Sequence, residues 1–159
     1  MKIVITGASG FIGSYLTTYF LKKNFKVFSL YRNKKPNLIN KNYIKIDKFY
    51  SNHKNLPKQC DVIIHCSTFF SLRSKNKDKD KHQESITVTD NIIKYAIKSK
   101  VKYFFFMSSV NVCGQINQKK ITERTKIINP SNYGKSKKEC EERIDDFSKK
   151  YNIPCITFR

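Results

Sequence analysis

The chain reads as an α/β domain built on a doubly wound parallel sheet, and three observations predict it. Short apolar runs alternate with amphipathic stretches along the whole length, the pattern of strands joined by crossover helices. Val62-Ile63-Ile64 and Tyr103-Phe104-Phe105-Phe106-Met107 are continuously apolar, as strands covered on both faces are. Three of the five glycines fall within Thr6-Gly7-Ala8-Ser9-Gly10-Phe11-Ile12-Gly13, directly behind the first apolar run.

Taken in order, Lys2 to Thr6 reads as a buried strand around Ile3-Val4-Ile5. A helix follows over 11–23, where Phe11, Ile12, Tyr15, Leu16, Tyr19 and Phe20 recur at helical spacing and are expected to form one buried stripe. Strands are expected at 26–31, 43–47 and 61–66, a helix at 83–99, a strand at 101–108, a helix at 133–151 and a last strand at 153–158. The polar segments 71–82 and 114–131 are the two long loops, where function concentrates in such a sheet. No internal repeat or linker divides the chain, so residues 1–159 are read as one domain.

Between the first strand and the first helix the three glycines suit a nucleotide phosphate. Gly7 permits the tight turn, Gly10 lets backbone approach a pyrophosphate, and Gly13 lets the helix pack closely on the strand. The phosphates would rest on the first-turn N–H groups of Phe11, Ile12 and Gly13, where unpaired donors and the helix dipole favour negative charge. The spacing is G-x-x-G-x-x-G, not the G-x-G-x-x-G of the usual dinucleotide fingerprint, so only the mechanism of that motif carries over.

With 32 Lys and Arg against 12 Asp and Glu, the formal charge is +20, which draws the chain toward anionic partners. The lysines are spread over every segment and often sit beside asparagine, so they read as solvated charge; a nucleic-acid surface is not expected. The five cysteines, Cys60, Cys66, Cys113, Cys140 and Cys155, are scattered and lack a C-x-x-C, and the three histidines are isolated. Free thiols and no metal site are expected. The N-terminal apolar run is too short for a secretory signal, and no stretch approaches the ~20 apolar residues of a membrane span, so a soluble, cytoplasmic protein is expected.

Tyr133-Gly134-Lys135-Ser136-Lys137 places a phenol and an ammonium at i and i+4 on one face of the last long helix. A phenol titrates near 10, and a neighbouring ammonium that stabilises its phenolate makes it a usable proton carrier at neutral pH. Lys137 is positioned to do so, and Ser108 or Ser109, at the end of the preceding strand, could hold a substrate oxygen.

These residues, with Asp61-Val-Ile-Ile-His-Cys-Ser67, Met107-Ser-Ser-Val-Asn-Val-Cys-Gly114, Glu123, Pro130 and the strand ending at Arg159, resemble the extended short-chain dehydrogenase/reductases of the NAD-dependent epimerase/dehydratase group. The resemblance implies a Rossmann-like fold and hydride transfer at a carbon of a nucleotide sugar, as an epimerase or a 4-ketoreductase. In it Tyr133 is the general acid/base, Lys137 lowers its pKa and binds the cofactor ribose, and Ser109, five residues before Gly114, is the substrate-orienting hydroxyl. Asp47 matches the family's adenine-binding carboxylate or is a strand-end cap. The second strand ends in Tyr31-Arg32 with no acid, which favours NADP over NAD, with Arg32 on the 2′-phosphate unless it is merely solvated. The resemblance also suggests a homodimer through the helices at 83–99 and 133–151.

Departures from the family pattern qualify this. Cys113 replaces a tyrosine, Ser85 stands where an asparagine often supports the cofactor, and Val110-Asn111 replace the Asp and Glu of sugar 4,6-dehydratases, which disfavours dehydration. The resemblance further implies that the domain gripping the sugar nucleotide is absent, the chain being a fragment, a natural truncation or half of a two-chain enzyme. These 159 residues alone are expected to bind cofactor with little turnover. A non-catalytic dinucleotide-binding or redox-sensing module is the alternative.

Overall fold

A computed structural model describes residues 1–33, 35, 42–69 and 78–159, the last segment by backbone alone at 78–80. Six strands, β1 (Lys2–Thr6), β2 (Lys26–Tyr31), β3 (Tyr43–Lys45), β4 (Val62–His65), β5 (Tyr103–Met107) and β6 (Cys155–Phe158), form one sheet in the order β3-β2-β1-β4-β5-β6. Every pairing is parallel, with Ile3 opposite both Val27 and Val62 and Ile63 opposite Phe104. The chain reverses its winding between β1 and β4, and in open parallel sheets ligands bind at that switch point, beyond the carboxyl ends of the strands.

Two layers of helix cover the sheet. On one face α2 (Asp78–Lys98) and α3 (Asn132–Tyr151) pack against each other and bury Val4, Leu30, Ile63, Phe104 and Phe106 under Ile86, Ile92, Tyr95, Ile144 and Phe147. On the other face α1 (Phe11–Lys22) lies over Ile3, Ile5, Val27 and Ile64 through Leu16, Phe20 and Leu21. Apolar burial at roughly 25 cal/mol per Å² is the main stabilising term in such layers.

The expected buried stripe of α1 is corrected. Phe11, Tyr15, Tyr19 and Ile12 are 93, 69, 47 and 46% exposed, and the inward positions are Gly13, Leu16, Thr17 and Phe20. Counting only apolar residues misplaces the stripe, because the turn presses the helix so close to β1 that small residues are needed at the contact. A Cβ on Gly13 would come within 2.3 Å of the Gly7 carbonyl oxygen.

Other boundaries shift by a few residues, as sequence patterns leave them free to do. The helix expected at 83–99 begins at Asp78, and the strands expected at 43–47, 101–108 and 153–158 close to 43–45, 103–107 and 155–158. Of the expected loop at 71–82, residues 71–77 lie outside the described residues. On the α1 side of the sheet Tyr103, Ile156 and Phe158 are about half exposed, and Phe158 stacks on Phe105. Among the described residues no helix is long and apolar enough to cross a membrane.

Candidate active site

Gly7 follows β1 at φ +65°, in the left-handed region that side chains resist. Gly10 is the N-cap of α1 and offers no side-chain cap, and the helix has no acid in its first turn, so the N–H groups of Phe11, Ile12 and Gly13 are left to a ligand. A Cβ on Gly10 would meet only the Gly7 carbonyl, at 3.3 Å, so the space before the turn is open. An open pocket of about 270 Å³ lies there, lined by Gly7, Gly10, Arg32, Tyr50, Ser67 and Thr68 among others.

Its far wall is tied to β1 by Thr6, whose Oγ1 accepts the N–H groups of Cys66 and Ser67 at 3.1 Å each. With its lone pairs so engaged, Thr6 donates its proton to His65 Nδ1 at 2.8 Å, and Nε2–H of His65 reaches Thr89 Oγ1 at 3.2 Å on α2. His65 is fully buried, and burial together with the charge of Lys137 drops its pKa to about 3, so the ring is neutral. Ser85, also on α2, accepts the Phe69 N–H at 3.1 Å and so holds the same loop.

At the other end of the pocket Arg32 places its guanidinium 4.2 Å from the centre of the Phe69 ring. Asp47 lies two residues beyond β3 and closes a loop: Oδ1 accepts from Phe49 N, Ser51 N and Ser51 Oγ, and Oδ2 from Asn52 N at 2.8 Å. Partial burial raises its pKa, but these bonds from Asn52, Ser51 and Phe49 outweigh it and hold the carboxyl at about 2. Here Asp47 acts as the cap of that loop. The loop carries Tyr50, whose hydroxyl reaches both Gly7 and Ser67.

Tyr133 stands in the first turn of α3, capped by Ser131, whose Oγ accepts the Gly134 N–H at 3.1 Å. Gly134 lets the helix lie against the 3₁₀ turn Val110–Cys113, since a Cβ there would come within 2.2 Å of the Asn111 carbonyl oxygen. That approach sets the phenol beside Ser109, whose Oγ also accepts the Asn111 N–H at 3.2 Å. Ser108 is turned away and donates to Glu141 at 2.5 Å. Burial raises the phenol's pKa, and the Ser109 and Thr68 hydroxyls beside it offset only part of the rise.

Lys137 is 2% exposed; its ammonium donates to the Met107 carbonyl at 2.7 Å and sits 4.7 Å from the centre of the Phe106 ring. Burial lowers its own pKa to about 8 against the opposing fields of Cys140, Cys66 and Glu141. Tyr133, beside the pocket-lining Thr68, keeps its proton at neutral pH, and Lys137 follows one turn later on α3.

Residues 3–159 match the NAD dependent epimerase/dehydratase family. The chain belongs to this family. It is 28% identical to the uncharacterized UDP-glucose epimerase YtcB of Bacillus subtilis, over all of this chain and 55% of that protein. It is 30% identical to a UDP-glucose 4-epimerase of Vibrio cholerae, over 99% of this chain and 50% of that one. Its fold matches a UDP-glucuronic acid 4-epimerase mutant of Bacillus cereus, solved with UDP-4-deoxy-4-fluoro-glucuronic acid and NAD, at a TM-score of 0.84 and 25% identity, over 99% of this chain and 55% of that chain. The chain spans about half the length of the curated relatives it matches.

Ser109, Tyr133, Lys137, Arg32 and the glycines, all marked in the sequence, stand after β1, after β2, after β5 and at the start of α3, and three further groups were not marked there. Tyr50 was one; the Asp47 side chain followed by Phe49 and Ser51 is a local turn signal that could have pointed to a shaped loop. His65, set aside as isolated, links β1 to α2. Glu141, 8% exposed, takes Arg159 Nε at 3.0 Å and Nη2 at 2.7 Å besides Ser108, tying α3 to β6. All five cysteines are free, and no group of three or more metal-ligating side chains occurs among the described residues.

Proposed function

We propose that the domain binds NADP(H), or NAD(H) less well, across its switch point, and that it moves hydride to or from a sugar carbon of a nucleotide sugar, as an epimerase or a 4-ketoreductase. The observation that supports this is that the Tyr133 phenol lies beside both Ser109 and Thr68, and Thr68 lines the pocket that the glycine turn opens. The residues present fit a dinucleotide. First-turn donors of α1 are uncapped and the space before Gly10 is open. The nicotinamide, when bound, supplies the site that gives or takes hydride.

The chain's own groups would handle the proton and the geometry. Ser109 would orient the sugar oxygen, and Tyr133, held protonated by burial, would donate its proton to the carbonyl oxygen as hydride arrives, leaving a phenolate; in the reverse, oxidative direction that phenolate takes the hydroxyl proton back. Lys137, whose ammonium donates to the Met107 carbonyl, would bind the cofactor ribose. Arg32, with no acid beside it, pairs with a 2′-phosphate. Pairing of two copies through the outer faces of α2 and α3 is the assembly the family resemblance suggests. Val110 and Asn111 offer no carboxylate for water elimination.

The test is turnover of 4-keto nucleotide sugars with NADPH, and of UDP-sugars with NAD, by the full protein and by Tyr133→Phe. Loss of roughly 100-fold or more in Tyr133→Phe with dinucleotide affinity unchanged is expected, the range for positioned acid–base groups. Dinucleotide binding with no tyrosine-dependent turnover would support a non-catalytic module in its place.

A further inference from the structure

We propose that Tyr50 is a positioning residue of the dinucleotide site, bridging the glycine turn and the loop after β4 and turning the Ser67 hydroxyl into the pocket as a hydrogen-bond donor. It rests on the reading of that pocket as a dinucleotide site.

Tyr50 is 2% exposed and sits at φ +59°, a conformation in which a bulky residue is an outlier. Such positions persist only where the surroundings over-determine them, and here they do. The four hydrogen bonds accepted by Asp47 all come from residues 49, 51 and 52, which flank Tyr50. The Tyr50 carbonyl is engaged by His53 Nε2 at 2.9 Å. The clamp therefore aims one side chain, and its hydroxyl lies 3.3 Å from Gly7 N and 2.5 Å from Ser67 Oγ.

A count of protons sets the direction of these bonds. The Gly7 N–H can only donate, so the phenol oxygen accepts from it. The buried phenol proton then needs an acceptor, and among the described residues Ser67 Oγ is the one within reach. With Ser67 accepting, its own proton is left to point at the pocket it lines. The chemistry on offer is a neutral donor for a ribose hydroxyl or a phosphate oxygen, beside the N–H groups of α1. The backbone of the Ser67 loop is held separately by Thr6, so Tyr50 controls the hydroxyl and not the loop itself.

Calorimetric titration of NADP and NAD into the wild type, Tyr50→Phe, Ser67→Ala and the double variant tests this, with thermal unfolding alongside. Each single change is expected to weaken binding roughly 3- to 10-fold, as loss of one hydrogen bond does, and the double to be no weaker than Ser67→Ala alone. Melting temperatures should stay close to wild type, because Tyr50→Phe keeps the ring in its packing. Unchanged affinity in Tyr50→Phe, or losses that add in the double variant, would overturn the proposal. Should Tyr50→Phe not fold, Ser67→Ala decides, and unchanged affinity there overturns it. A wild type that binds neither dinucleotide overturns the reading of the pocket as well, so the two failures are told apart.

Discussion

Lys137 holds an ammonium almost wholly out of water, and a lysine so placed leaves a mark on stability against pH. Its pKa is 10.5 in the unfolded chain and about 8 in the fold. Between those values the unfolded chain binds more protons, so stability from this group rises with pH from about 8 to about 10.5, by roughly 3 kcal/mol. Cys60, pushed up to about 11 by burial, acts in the opposite sense, so the prediction concerns a difference. Urea unfolding of the wild type and Lys137→Met at pH 7 and pH 10 should show the variant's relative stability falling as pH rises; a constant difference would mean that Lys137 titrates normally. Arg32 carries a second prediction at this scale. Its guanidinium rests on Phe69 beside the pocket, and a charge-assisted bond to a 2′-phosphate contributes about 1.5–3 kcal/mol. Arg32→Ala should therefore cut the NADP preference over NAD by roughly tenfold or more, and an unaltered ratio would show that the arginine is merely solvated.

Elements bring these residues together through close backbone approaches that glycine permits. At the start of α3 a Cβ on Gly134 would strike the Asn111 carbonyl, so Gly134→Ala must push the helix from the 3₁₀ turn and draw Tyr133 away from Ser109. Overpacking of this kind costs ~1–3 kcal/mol, and turnover should fall further than stability does. A melting temperature and a rate both close to wild type would contradict that geometry. The strands were legible in the sequence because parallel strands buried on both faces are unbroken apolar runs, as at Val62–Ile64 and Tyr103–Met107. The inward side of α1 was not, since its contacts are made by Gly13 and Thr17 while Phe11 and Tyr15 face water. Tyr133 and Lys137 stood out by their i, i+4 spacing. The burial of Lys137 and the clamp from Asp47 to Tyr50 depend on contacts between distant segments and on one left-handed residue, which no local pattern encodes.

For the molecule as a whole, the sheet order sets where a ligand can lie and the charge sets what it can be. A net +20 favours phosphorylated ligands over long distances, and salt screens that attraction within a Debye length of ~8–10 Å. Across α2 and α3 His82 is hydrogen-bonded to Glu139 and Arg143 is paired with Asp90 and Glu139, and Tyr151 is the one large hydrophobic of α3 that is exposed among the described residues. Most exposed large hydrophobics among the described residues lie instead on α1, on the β5–β6 face and along residues 110–127. The proposed function depends most on the turn between β1 and α1 receiving the pyrophosphate of a dinucleotide. Isothermal titration of NADP and NAD into the wild type and Gly10→Val tests it most directly, because the new side chain would project into the open space before the turn while meeting only the Gly7 carbonyl within the fold. Saturable binding by the wild type, abolished in a Gly10→Val variant that still unfolds cooperatively, is the predicted result; equal affinity in the two proteins would contradict it.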